Sequence, residues 1–179
     1  MPPPGEQLLA GGKLVLDRPA EAVARLTISN PERRNALDHD ILGALAETLP
    51  TLADGIETRC VLITGTGSVF SAGYDIAGIG EESFEADTAL AWGLVNRVVP
   101  ESQLEETALD LATELAGNAP LSLRGNKRVI RELLRAEGAL DPDVERELIA
   151  LREACFRSED FKEGVRAFGE KRPARWQGR

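Results

Sequence analysis

The pattern of apolar residues changes character at about residue 100, and that change sets the fold class. Beyond it, apolar residues recur at helical spacing, interrupted only at Gly117-Asn118, Gly138 and Pro142. This predicts helices over 101–116, 120–136, 142–157 and 159–169. Before it, the pattern is mixed. Residues 13–17 (KLVLD) and 22–29 (AVARLTIS) alternate apolar with polar, predicting a β-hairpin joined through 18–21. Asn30-Pro31 ends that hairpin. Asp38 is placed to cap a helix running to about Leu52, with Ile41, Leu42, Leu45 and Leu49 on one stripe. Residues 59–64 (RCVLIT) form a nearly continuous apolar run, as a buried strand does. Residues 65–67 and 71–73 read as loop, 75–91 is ambiguous, and 94–99 (LVNRVV) reads as a short strand closed by Pro100. The expected architecture is an α/β core over 1–100 followed by a helical region over 101–179.

Composition narrows the function classes. A chain of 179 residues with 42% hydrophobic content fits one core with an appendage. A formal net charge of −9 argues against nucleic-acid binding, since a polyphosphate backbone needs a basic field. A single anionic ligand remains accessible where a few Arg or Lys residues converge. Any triad or imidazole metal site would rest on His39 alone, and Cys60 and Cys155 match no metal or redox spacing. The two cysteines read as reduced, packed thiols. No run approaches the ~20 apolar residues of a membrane span, and residues 1–6 lack the marks of a signal peptide. The expectation is a soluble, cytoplasmic protein with no metal, no membrane partner and no nucleic-acid partner.

The segment FSAGYDI (70–76) is the most informative. It follows a buried strand, Gly73 permits a left-handed turn, and Asp75 can cap a following helix. Local signal leaves two readings. One is an ordinary connection. The other is a turn whose outward N–H groups face a developing negative charge.

Four segments together resemble the crotonase (enoyl-CoA hydratase/isomerase) superfamily, in the order that family shows: NPERRNAL (30–37), VLITGTGSVFSAGYDI (61–76), ALAWGLVNRVVP (89–100) and FRSEDFKEGVRAFGEKRPARWQG (156–178). The resemblance implies a crotonase-like ββα spiral core and an acyl-coenzyme A substrate, with no cofactor beyond the coenzyme A that the substrate carries. It implies that the backbone N–H of Tyr74 is one of two donors to the thioester oxygen. Ala36, Ala72, Gly73, Asp75 and Ile76 would line the site, and Arg33 and Arg34 would lie near the nucleotide phosphates. Phe168 and Lys171 match positions that reach a coenzyme A from a neighbouring subunit, in trimers or dimers of trimers. His39 matches no catalytic position and reads as a surface or capping residue. Tyr74 stands where a small residue is commoner, so its ring either shapes the acyl pocket or is a half-buried loop aromatic.

The resemblance also has a gap. Family members carry a long block between the A-G-x-D loop and the W-G-L-V stretch, holding a G-G-G loop with the second oxyanion donor and the catalytic carboxylates. Here Thr88 follows Asp75 by thirteen residues. The junction falls near 85–88, and Glu81, Glu82 and Glu85 beside it read as solvated charges. Expected activity is therefore that of an acyl-CoA hydratase or isomerase, impaired or reduced to a binding or structural role.

Overall fold

The computed structural model describes residues 5–55, 57–74, 85–136 and 140–179. Asp75, Ile76, Glu81 and Glu82 lie outside the described residues. The chain divides into two compact units, Met1–Thr113 and Glu114–Arg179.

The first unit is built on a four-stranded sheet in the order β1 (Gln7–Leu9), β2 (Leu14–Ala20), β3 (Val23–Ile28) and β4 (Cys60–Gly65). The hairpin of β2 and β3 is antiparallel, as the alternation predicts, but its turn is shorter than 18–21. Ala20 pairs with Val23, so only Glu21 and Ala22 turn, and Ala22 takes the left-handed φ of 58°. A register shift between Asp17 and Ala20 takes up Pro19, which has no N–H to give the ladder. Arg25 forks onto the Asp17 carboxylate directly across the hairpin, at 2.6 and 2.9 Å. β4 runs parallel to β3, which requires a crossover, and helix α1 (His39–Asp54) supplies it.

The start of α1 follows its sequence signal. The Asp38 carboxylate accepts the Ile41 N–H at 3.0 Å and the Lys13 ammonium at 2.6 Å. Both bonds favour the charged form and hold Asp38 below its ordinary pKa. The helix lays Ile41 and Leu52 on Ala24, Leu26 and Ile28, the residues that share one face of β3 at period two. Leu14 closes this core, with Ala44, Leu45 and Val61 packed at its border. Each fully buried leucine or isoleucine here stabilises the unit by about 1.5–3 kcal/mol. The stripe therefore runs through Ile41, Ala44, Leu45 and Leu52, and Leu49 lies at the exposed rim.

Beyond the sheet come the short helix α2 (Ala86–Ala91) and α3 (Glu101–Ala116). Between them 94–99 is irregular and not the expected strand, with Leu94 62% exposed. Among the described residues the sheet takes no strand from this stretch.

The second unit holds α4 (Pro120–Arg135), α5 (Pro142–Arg157) and α6 (Glu159–Glu170), with α5 packed on both of the others. Helices α3 to α6 fall within a residue of the spans that periodicity predicts. Proline opens α4 and α5 at the position where a missing N–H does no harm. Asp141 caps α5 and Ser158 caps α6. A tail then folds back along α6. The Asp160 carboxylate, on a residue only 2% exposed, accepts the N–H groups of Gln177 and Gly178 at 2.6 and 2.9 Å. Arg172 forks onto Glu163 at 2.6 and 3.1 Å, and the Arg175 N–H reaches the same carboxylate at 2.9 Å. Trp176 lies over Gly164 and donates its indole N–H to the Gly117 carbonyl at 2.8 Å.

Cys60 and Cys155 are half-buried thiols, neither in a disulfide. Among the described residues no helix is long and apolar enough to cross a membrane, and no cluster of His, Cys, Asp or Glu is arranged to hold a metal ion.

Candidate functional site

The two segments singled out in the first half of the sequence, 30–37 and 70–74, lie against each other at the end of β4. Their joint is Asn35, a residue 1% exposed and with a left-handed φ of 58°. Its side-chain amide donates to the carbonyls of Thr66 and Val69 at 2.8 and 2.7 Å, and its oxygen accepts the Asn30 N–H at 3.0 Å. Ser71 donates its hydroxyl to the Asn35 carbonyl at 2.8 Å and accepts the Gly73 N–H at 3.0 Å. Two backbone bonds finish the seam: Ala72 N–H to the Arg34 carbonyl at 3.0 Å, and Leu37 N–H to the Gly73 carbonyl at 2.8 Å. Leu37 and Tyr74 then pair as a single parallel bridge.

This seam brings together Arg34, Ala36, Ala72, Gly73 and Tyr74. Gly73 has φ of 87°, and a Cβ there would meet nothing within 4 Å, so backbone conformation and not space calls for glycine. The bonds that fix the loop use the N–H groups of Ala72 and Gly73 and the carbonyl of Gly73. None of them uses the N–H of Tyr74. Arg33 and Arg34 close a short 3-10 turn over Pro31–Arg33 and are exposed, Arg34 with a left-handed φ of 50°. Ala36 is buried beneath them, its N–H on the Arg33 carbonyl and its own carbonyl on the Asn30 amide.

His39, the first residue of α1, joins this group. Its Nε2 lies 3.3 Å from the Tyr74 hydroxyl, and the two rings meet edge to face with centroids 5.9 Å apart. Asp38, not His39, makes the cap. Nothing local in the sequence marks this pair. It follows from the Leu37–Tyr74 bridge, because His39 stands two residues beyond Leu37 and so on the same side. Asn35 was legible only as part of a motif; its role appears once Thr66 and Val69 are placed above it.

Phe168 and Lys171 belong to the other unit. Phe168 projects from α6 almost wholly exposed, at 88%, and Lys171 ends that helix in the left-handed conformation with φ of 52°. Apolar side chains of α5 and α6 near them, Phe156, Phe161 and Val165, are exposed as well.

Comparison with known proteins places this arrangement. The sequence profile of the enoyl-CoA hydratase/isomerase family matches in two segments, 18–88 and 79–179. Carnitinyl-CoA dehydratases of Salmonella typhi and Salmonella paratyphi A are 36% and 35% identical over 99 residues. That match takes in 52% of this chain, and it spans only 36% of those relatives' length. Among solved structures, an enoyl-CoA hydratase from Bacillus anthracis superposes with a TM-score of 0.79 at 19% identity, covering 93% of this chain and 100% of that one. A probable enoyl-CoA hydratase/isomerase from Mycobacterium abscessus gives 0.77 at 22% identity, with 93% and 99% covered. The structural likeness bears out the crotonase-like fold, and the profile match carries the family assignment. The chain belongs to the enoyl-CoA hydratase/isomerase family.

Proposed function

We propose that this chain binds an acyl-CoA thioester with the thioester oxygen against the backbone N–H of Tyr74, and that in its shortened form it turns substrate over slowly. The observation that carries the reading is the loop at 71–74, which spends its neighbouring amides on its own structure while, among the described residues, its internal bonds do not use the Tyr74 N–H. A fixed backbone donor of this kind stabilises an enolate oxygen more than a neutral carbonyl, contributing about 3–4 kcal/mol to barrier lowering. In the hydration of a 2-enoyl thioester, water adds at Cβ, charge collects on the carbonyl oxygen, and a proton returns at Cα. Arg33 and Arg34, exposed beside the loop, suit the phosphates of coenzyme A. Phe168 and Lys171 contact a coenzyme A held by another copy of the chain.

The second half of the proposal rests on the thirteen-residue spacing between Asp75 and Thr88 and on the two-segment match to the family profile. With no second donor, the rate falls about a hundred- to a thousand-fold. With no carboxylate acid and base, it falls by about another hundred- to ten-thousand-fold, the two losses not being independent. The same spacing favours a second reading, in which the chain binds coenzyme A without catalysis. Loss of enoyl-thioester absorbance, followed with crotonyl-CoA and protein of confirmed intact mass, tests the proposal. The expected rate is barely above the uncatalysed one. Turnover on the order of 10 per second, typical of a competent enzyme, would contradict slow turnover.

A further inference from the structure

We propose that the ring of Tyr74, anchored on His39, limits the acyl group this chain accepts to short ones. The inference rests on the thioester reading above and adds a specificity-determining pair to it. Covalent geometry ties the side chain to the substrate. Cβ is two bonds from the backbone nitrogen, so a carbonyl oxygen held by that N–H lies within about 4–5 Å of Cβ. The side chain at position 74 thus stands beside the thioester.

Here it is the chain's one tyrosine, and its ring is tied to His39. The hydroxyl meets His39 Nε2 at 3.3 Å, and the His39 ring meets the tyrosine ring edge to face. His39 is itself held, since it opens α1 next to the Asp38 cap and two residues before the buried Ile41. The bridge between Leu37 and Tyr74 fixes the backbone beneath both rings. Half of Tyr74, 50%, is left exposed, a surface open to an acyl chain. An apolar pocket that admits each added methylene gains about fourfold in affinity from it. A fixed ring beside the thioester removes that gain after the first few carbons. Tyr74 acts by blocking and His39 is a positioning residue.

The test is calorimetric titration of the full chain with acetyl-, butyryl-, hexanoyl- and octanoyl-CoA. The wild type is expected to level off beyond butyryl-CoA. Tyr74→Ala is expected to restore the climb, so that octanoyl-CoA, four methylenes longer, binds roughly 250-fold more tightly than butyryl-CoA. His39→Ala, which frees the hydroxyl, should give a partial climb, and His39→Gln, which can still bond it, should keep the plateau. That contrast reads positioning even if Tyr74→Ala fails to fold. A wild type whose affinity rises steadily to octanoyl-CoA overturns the inference, as does a plateau that persists in both Tyr74→Ala and His39→Ala. Absence of binding to every acyl-CoA overturns the thioester reading and this inference with it.

Discussion

Asn35 and Gly65 hold the candidate site in place. A Cβ on Gly65 would overlap the Phe70 carbonyl and stand 2.8 Å from the Asn35 amide, so the turn after β4 closes directly over this glycine. Asn35→Ala would strand the carbonyls of Thr66 and Val69 and the N–H of Asn30. Buried polar groups left unpaired cost about 1–3 kcal/mol each when water cannot reach them, and partial solvation brings the expected loss to about 3 kcal/mol. Urea denaturation should show that loss, and Gly65→Ala should be at least as damaging through overpacking. A change below about 0.5 kcal/mol for both, the level of an ordinary surface substitution, would show that the turn relaxes freely. At this scale the sequence shows the segments but not their partners. The Asn30–Leu37 and Phe70–Tyr74 motifs could be read, whereas the pairing that sets Tyr74 beside His39 joins residues 35 apart. Such a contact depends on tertiary register, which single-residue preferences do not encode.

Among the elements, helices were the most legible because their periodicity, caps and breaks agree with one another. Pro120, Asp141-Pro142 and Ser158 each mark a helix start that the structure keeps. β1 has only three residues and no alternation long enough to read, and 94–99 has strand composition but pairs with no strand among the described residues. The tail clasp on α6 was also hidden, because GEKRP by composition looks like an exposed helix end. It carries a pH signature. The Arg172 fork, helped by the Arg175 N–H, lowers the Glu163 pKa from 4.5 to about 2. A lowered folded-state pKa contributes stability that is complete above the unfolded value and is lost as pH falls through the folded one. The stability gap between the wild type and Glu163→Gln should therefore be constant above pH 4.5 and close progressively towards pH 2. Denaturation curves that run parallel across that range would mean the clasp does not form in solution.

For the whole molecule, the family and the fold were legible from four ordered segments, and the profile match and the superposed structures bear both out. At this scale the proposed function is tested through assembly and charge. The apolar side chains exposed on α3, Leu104, Leu111 and Leu115, together with Phe168 on α6, motivate an oligomer formed through the helical region. Light scattering at micromolar concentration should find a trimer or larger, and a clean monomer would contradict it. Coenzyme A binding through Arg33, Arg34 and Lys171 should weaken with salt, since exposed cation–phosphate contacts are screened over roughly 8 Å at physiological ionic strength. Arg34→Ala and Lys171→Ala should each lower affinity in calorimetry, and two unchanged affinities would remove these residues from the site. The central claim is that the Tyr74 amide holds a thioester oxygen. Carbon-13 NMR of butyryl-CoA labelled at the thioester carbonyl reads that hydrogen bond directly. The account predicts saturable binding with a downfield shift of the carbonyl resonance, as hydrogen bonding draws electron density towards oxygen. A bound thioester whose carbonyl resonates where it does in water, or no binding at millimolar ligand, would contradict it.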